Sequence, residues 1–283
     1  KLLLMALMAV MAVGLIACGT DKSDNESTKE EKTSVTITSL DSSKNEIELE
    51  VPYNPKRIAI LDLASLDIID ELGVGDRVVG MASTSIDYLE KYSNDASIKN
   101  LGTIKEADLE AVMECEPDII FIGGRLSKSY DALSEIAPVV YLATDTNEGL
   151  VNSVSKNAKT IASIFGMEDK VDSLMSDFGA RIDAIKKISS GKTALVGMTT
   201  SGSFNLLGND GRCSLIGVEA GFNNLTAAGS TSTHGNESSF ETVVQQNPDY
   251  IFVMDRDSAI STAGAKTAKE IVENELVKTA DAS

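Results

Sequence analysis

Arg125 and Arg256 each close a short apolar run, Asp118–Ile122 in the first case and Tyr250–Met254 in the second, and Arg212 ends the turn Gly208-Asn209-Asp210-Gly211-Arg212. Three guanidiniums around one cavity would suit a trianionic ligand rich in oxygen acceptors, because arginine stays charged and offers a planar fork of donors. Read one at a time, the same residues are solvated strand ends and a surface turn residue. His234, the one histidine, lies in the polar loop Ser232-Thr233-His234-Gly235-Asn236. Alone it reads as a surface or capping residue. One histidine excludes the three-histidine sites used for free zinc or manganese unless carboxylates complete them. A serine hydrolase with His234 as base would need a nucleophile elbow, and no G-x-S-x-G occurs.

The two strand-end arginines belong to a repeat. LEAVMECEPDIIFIGGR (109–125) and FETVVQQNPDYIFVMDR (240–256) align without a gap at an offset of 131. They share Glu110/Glu241, Val112/Val243, Pro117/Pro248, Asp118/Asp249, Ile120/Ile251, Phe121/Phe252 and Arg125/Arg256. Each copy predicts a helix, a Pro-Asp turn, a buried strand and an arginine. One long repeat implies two similar lobes rather than an array of small units. Ligands of open α/β sheets bind beyond the carboxyl ends of the strands, so facing lobes would aim both arginines into one cleft.

Around the repeat, alternation over Val35–Thr38 and Glu46–Val51 predicts a β-hairpin. Arg57–Leu61, Val78–Met81 and Val139–Leu142 read as strands, and Leu66–Leu72 and Tyr130–Ile136 as helices, with Gly73 ending the first. Strands alternating with helices mean a largely parallel α/β sheet over 34–150. Residues 151–188 contain no strand pattern. Gly166 divides them, and Val171, Leu174, Met175, Phe178, Ile182 and Ile185 recur at helical spacing, which predicts one long spine helix over much of 167–188. Alternation resumes over 189–283 with strands at Ala194–Met198 and Phe204–Leu207 and a last helix at Ala268–Val277. The second lobe is expected to be incomplete, short of one more strand and its covering helix.

The chain has 283 residues and a formal charge of −18. That acidity argues against nucleic acid, since no basic stripe exists to neutralise phosphates. It also means that an anion site must be built from a few placed cations. Leu2–Ala17 is an apolar run preceded by Lys1 and closed by Leu15-Ile16-Ala17-Cys18. This is short for a membrane span and suits a signal peptide over 1–17. Residues 18–33 then form a solvated tether. Cys115 and Cys213 fall in different lobes and read as packed thiols rather than a bonded pair.

The lipobox ending at Cys18, the charged tether, two α/β lobes joined by a long helix and the paired segments together resemble the substrate-binding lipoproteins of iron–siderophore ABC importers. The chain is most similar to the petrobactin-type catecholate binders. The segments that carry the likeness are IGGRLSKSYDALSEIAPVVYL (122–142), GRCSLI (211–216), STHGNESSFE (232–241) and NPDYIFVMDRDSAI (247–260). The resemblance implies a class III periplasmic-binding-protein fold and Cys18 lipidated on the extracytoplasmic face of the cell membrane. It implies a monomer that is not an enzyme, has no cofactor, and hands an Fe(III)-siderophore to a permease with its ATPase. It places Arg125, Arg212 and Arg256 around the iron–catecholate centre, with His234 at the cavity, able to contact ligand or an open iron position. It puts Glu110 and Glu241 at the lobe tips, where they meet arginines of the permease. A ferric tris-catecholate carries three negative charges, which agrees with the three arginines. A receptor for haem or cobalamin is the alternative.

Overall fold

The computed structural model of the chain describes residues 32–226, 232–260, 262–273, 275 and 277–280. The expected signal peptide, Cys18 and the tether as far as residue 31 lie outside the described residues. No helix of the described residues is long and apolar enough to cross a membrane.

The chain opens on an antiparallel hairpin of β1 (Ser34–Leu40) and β2 (Glu46–Pro52). The Asp41 carboxylate accepts from the N–H groups of Ser43 and Asn45, which closes the turn. The first sheet takes β3 (Ile58–Ile60), β4 (Val78–Met81), β5 (Lys99–Asn100), β6 (Ile119–Ile122) and β7 (Val139–Tyr141). Its order is β5-β4-β3-β6-β7 and every pairing is parallel. Because successive side chains point to opposite faces, β6 feeds two cores. Ile119 and Phe121 join Leu66 and Ile69 of the helix Leu63–Leu72 and Ile161 of the helix Leu150–Phe165. Ile120 and Ile122 join Val112 of the helix Leu109–Glu114 and Leu133 of the helix Tyr130–Ser134. All four β6 side chains are fully buried, each contributing about 1.5–3 kcal/mol by its burial.

The strandless segment folds as two helices, Leu150–Phe165 and Glu168–Ser189. Gly166 divides them as expected, with a left-handed backbone at φ 66°. The second helix has 22 residues and so runs about 33 Å. Glu168 and Asp169 in its first turn and Lys186 and Lys187 in its last oppose the helix dipole. Val171 and Ile182 are buried, whereas Leu174 and Ile185 of the expected stripe are exposed.

The second sheet contains β8 (Thr193–Thr200), β9 (Ser203–Leu206), β10 (Asn223–Asn224), β11 (Asn236–Glu237) and β12 (Tyr250–Asp255). β8 pairs parallel with β10 and β12 but antiparallel with β9, and β11 pairs antiparallel with β9. The α/β class stands, but this sheet is mixed where the sequence reading expects a largely parallel one. The cause is the two-residue turn Ser201-Gly202, with φ of 52° and 80°. Both values are positive, as a tight hairpin with the native strand twist requires. β12 is half-buried rather than buried, because among the described residues it pairs with β8 alone. β6, by contrast, lies between β3 and β7. The expected helix Ala268–Val277 forms over Ala268–Val272, and Val277–Thr279 is a single tight turn.

Candidate functional site

The repeat is a structural unit larger than its shared letters. Asp108 and Ser239, also 131 apart, cap the two helices through the N–H groups of Ala111 and Thr242. Glu116 and Asn247 end them in left-handed backbone. The two Pro-Asp aspartates then do one job twice. Asp118 accepts from the N–H groups of Lys56 and Arg57 at 2.7 and 2.9 Å, fixing the start of β3 beside β6. Asp249 accepts from the N–H and hydroxyl of Thr193 at 2.8 and 2.9 Å, fixing the start of β8 beside β12. Those bonds hold the Asp249 carboxyl below the usual carboxylate range. Each strand is thus registered at one end and delivers its arginine at the other.

The two arginines nonetheless differ in setting. Arg125 lies in the tight helical turn Gly124–Ser129, exposed, and among the described residues donates to no partner. Arg256 begins the helix Arg256–Ala259. Its Nη1 donates to Thr200 Oγ1 at 3.2 Å and lies 3.4 Å from the carboxylate of Asp257, which is buried. Asp257 also accepts from the Ser201 N–H at 2.6 Å. The guanidinium is therefore pinned to the carboxyl end of β8. Thr200 and Asp257 escape a sequence reading because Asp257 faces Leu126 in the other copy, so the repeat does not mark it.

Around Arg125 the carboxyl ends of β3, β6 and β7 converge. A Cβ at Gly123 would meet Asp62 Oδ1 at 2.6 Å, and one at Gly124 would meet the Tyr141 hydroxyl at 3.3 Å. The glycines let the backbone pass between these two polar side chains.

Arg212 is exposed. Its neighbour Cys213 packs on Val196, Met198 and Leu207, in a cluster that also takes in Met254 near the end of β12. Burial raises the Cys213 thiol pKa, and Arg212 works against that shift. Cys115 and Cys213 are both free thiols. His234 is exposed in a turn at the sheet edge, where its carbonyl accepts from Asn205 Nδ2 at 2.8 Å. Hydrogen bonds and ion pairs among the described residues do not link the three arginines and His234 to one another. They line neither the groove of about 570 Å³ beside Leu109 and Met113 nor the cavity of about 290 Å³ between the hairpin and the helix Leu150–Phe165. Among the described residues no group of three His, Cys, Asp or Glu is placed to hold a metal ion.

Glu110 and Glu241 are exposed in the first turns of the equivalent helices. Its own backbone N–H and the Ser239 side chain hold the Glu241 carboxyl below its ordinary range.

Two α/β units separated by a long helix, each presenting strand ends and a cation, define a two-lobed ligand-binding protein. Residues 58–282 match the periplasmic binding protein family, and the chain belongs to it. It is 35% identical to the petrobactin-binding protein YclQ of Bacillus subtilis (strain 168), covering 100% of this chain and 88% of that one. The crystal structure of YclQ superposes with a TM-score of 0.79 at 36% identity, over 88% of this chain and 86% of the other. The periplasmic catecholate-siderophore binding protein VctP of Vibrio cholerae superposes at 0.78 with 28% identity, over 88% of each chain.

Proposed function

We propose that this chain is the substrate-binding component of an ABC importer and captures a ferric catecholate siderophore of the petrobactin type. The observation that carries the reading is the arginine at the carboxyl end of β6 recurring at the carboxyl end of β12, in a chain similar to a petrobactin binder and a catecholate-siderophore binder. In this reading Arg125, Arg212 and Arg256 donate to the catecholate oxygens and His234 stands at the rim. The protein binds and releases its ligand without chemistry. Residues 1–17 are a signal peptide, Cys18 carries the lipid and 18–33 are the tether, so the protein works at the outer face of the cell membrane. Lobes 34–150 and 189–283, joined by the helical segment 151–188, enclose the ligand, and Glu110 and Glu241 face the permease.

The chemistry favours this ligand. A tris-catecholate iron centre carries three negative charges, and charge-assisted bonds from guanidinium to oxyanion are the strong kind. Against a background charge of −18, such an anion is held only where cations are concentrated. Titration of the pure protein with ferric petrobactin, ferric enterobactin and a neutral ferric hydroxamate tests the reading. The chain has no Trp, so the readout is calorimetry or tyrosine quenching. Arg125→Ala, Arg212→Ala and Arg256→Ala should each weaken ferric-catecholate binding by about one to two decades, with much smaller losses for the hydroxamate. Unchanged catecholate affinity in all three variants, or no catecholate binding by the parent, overturns the assignment.

A further inference from the structure

The first lobe carries a groove of about 570 Å³ between the helices Leu109–Glu114 and Tyr130–Ser134. Its lining includes Leu109, Met113 and Ile136, with Glu116 and Glu135 at the rim. Met113 is 60% exposed and Leu109 39%. Leu109 and Met113 stand four apart on one helix and so share a face, and Glu110, three before Met113, adjoins it. Glu114 and Asp131 add exposed carboxylates on the same two helices, Glu114 being paired with Lys99.

The second copy keeps an apolar pair, Phe240 and Val244, at the positions of Leu109 and Met113 but not the carboxylates of positions 114 and 116. Met113, Glu114 and Glu116 correspond to Val244, Gln245 and Asn247. Glu116 and Asn247 share a left-handed backbone, with φ of 43° and 42°. Asparagine takes that conformation more readily than glutamate, so the first lobe keeps its carboxylate at the groove against the local backbone preference.

We propose that this groove seats a basic amphipathic segment of the importer's permease, with an apolar side chain between Leu109 and Met113 and Lys or Arg against Glu116 and Glu135. An apolar floor with an anionic rim is complementary to such a segment, and Glu110 stands on the same helix, three residues before Met113. Because the carboxylates of Glu114 and Glu116 have no counterpart in the second copy, the two lobes present different charge to the two halves of the permease. The inference rests on the docking role proposed above for Glu110 and Glu241.

The test uses the full-length protein in native cells lacking the chromosomal copy, with ferric petrobactin as probe. Uptake is measured against the amount of binding protein, and ligand affinity is measured separately by calorimetry. Met113→Ser, Glu135→Lys and Glu116→Asn should each raise the amount of protein needed for half-maximal uptake about fivefold to tenfold, the loss of one apolar or charged contact. Ligand affinity should stay constant, and Gln245→Lys in the second lobe should leave uptake unchanged. If Glu110→Ala and Glu241→Ala impair uptake while the three groove variants do not, docking stands and the groove assignment falls. If Gln245→Lys is as harmful as Glu135→Lys, the asymmetry is wrong. Should neither the docking glutamates nor the groove variants affect uptake, the docking reading fails and takes this inference with it. A loss of ligand affinity in the groove variants also overturns it.

Discussion

Asp249 and Thr193 are joined by reciprocal hydrogen bonds: the carboxylate accepts from the Thr193 N–H and hydroxyl, and that hydroxyl accepts from the Asp249 N–H at 2.9 Å. The pair locks the first residue of β8 to the turn that precedes β12, as Asp118 locks the start of β3 to β6 in the other copy. The same device thus fixes the start of the strand that runs parallel beside each arginine-bearing strand.

The first prediction concerns acid stability. Hydrogen bonds from Thr193 depress the Asp249 pKa below 3.8 in the folded protein. A depressed carboxylate stabilises the fold fully above its unfolded pKa, and that stabilisation is lost as pH falls through the folded value. Asp249→Asn should therefore be less stable than the parent at pH 7, and the gap should narrow as the pH drops below 3.8. Urea unfolding across pH 2.5 to 7 measures it. A gap that stays constant over this range would show that the charge of Asp249 is irrelevant.

The junction of the two long helices makes the second. Gly166 has a positive φ, and a Cβ there would run into the Tyr53 hydroxyl. Gly166→Ala combines left-handed strain with that collision and should cost about 1–3 kcal/mol. Adding Tyr53→Phe should recover part of the loss, since it removes the clashing oxygen. Thermal unfolding of the single and double variants distinguishes strain from contact.

Glu116 yields a prediction of opposite sign. At φ 43° an asparagine is better suited, as the equivalent Asn247 illustrates. Glu116→Asn should raise the unfolding free energy by about 0.5–1.5 kcal/mol while weakening uptake. A destabilised variant would mean that the glutamate side chain stabilises the fold in some other way.

The fourth prediction separates docking from binding. Glu110 and Glu241 are exposed, and no hydrogen bond or ion pair among the described residues joins them to the arginines, so their removal should impair uptake and leave ligand affinity within about twofold. A larger affinity loss, measured by calorimetry with ferric petrobactin, would move that glutamate into the ligand site.

Much of this protein was legible from local sequence. Helical and strand periodicity, Pro-Asp turns, and glycines at 73 and 166 are signals carried within a few residues, so the principal elements and their order followed from them, whereas the two-residue strands β5, β10 and β11 are too short to carry a period. The repeat itself needs only comparison of the chain with itself, and it put Arg125 and Arg256 at matching strand ends. What tertiary structure decided are the pairings between distant residues. Asp118 reaches Lys56 and Arg57 across some sixty positions, and Thr200 and Ser201 meet Asp257 across 57 and 56. Glu219 accepts from the Val151 N–H at the start of the helix Leu150–Phe165, 68 positions away. No local pattern marks such partners, because a polar group is satisfied by whatever the packed chain brings within hydrogen-bonding reach of it. The same holds for β12, whose apolar run matches that of β6 letter for letter at Ile251 and Phe252. Its half-burial depends on having one strand neighbour rather than two, and neighbours are a property of the fold.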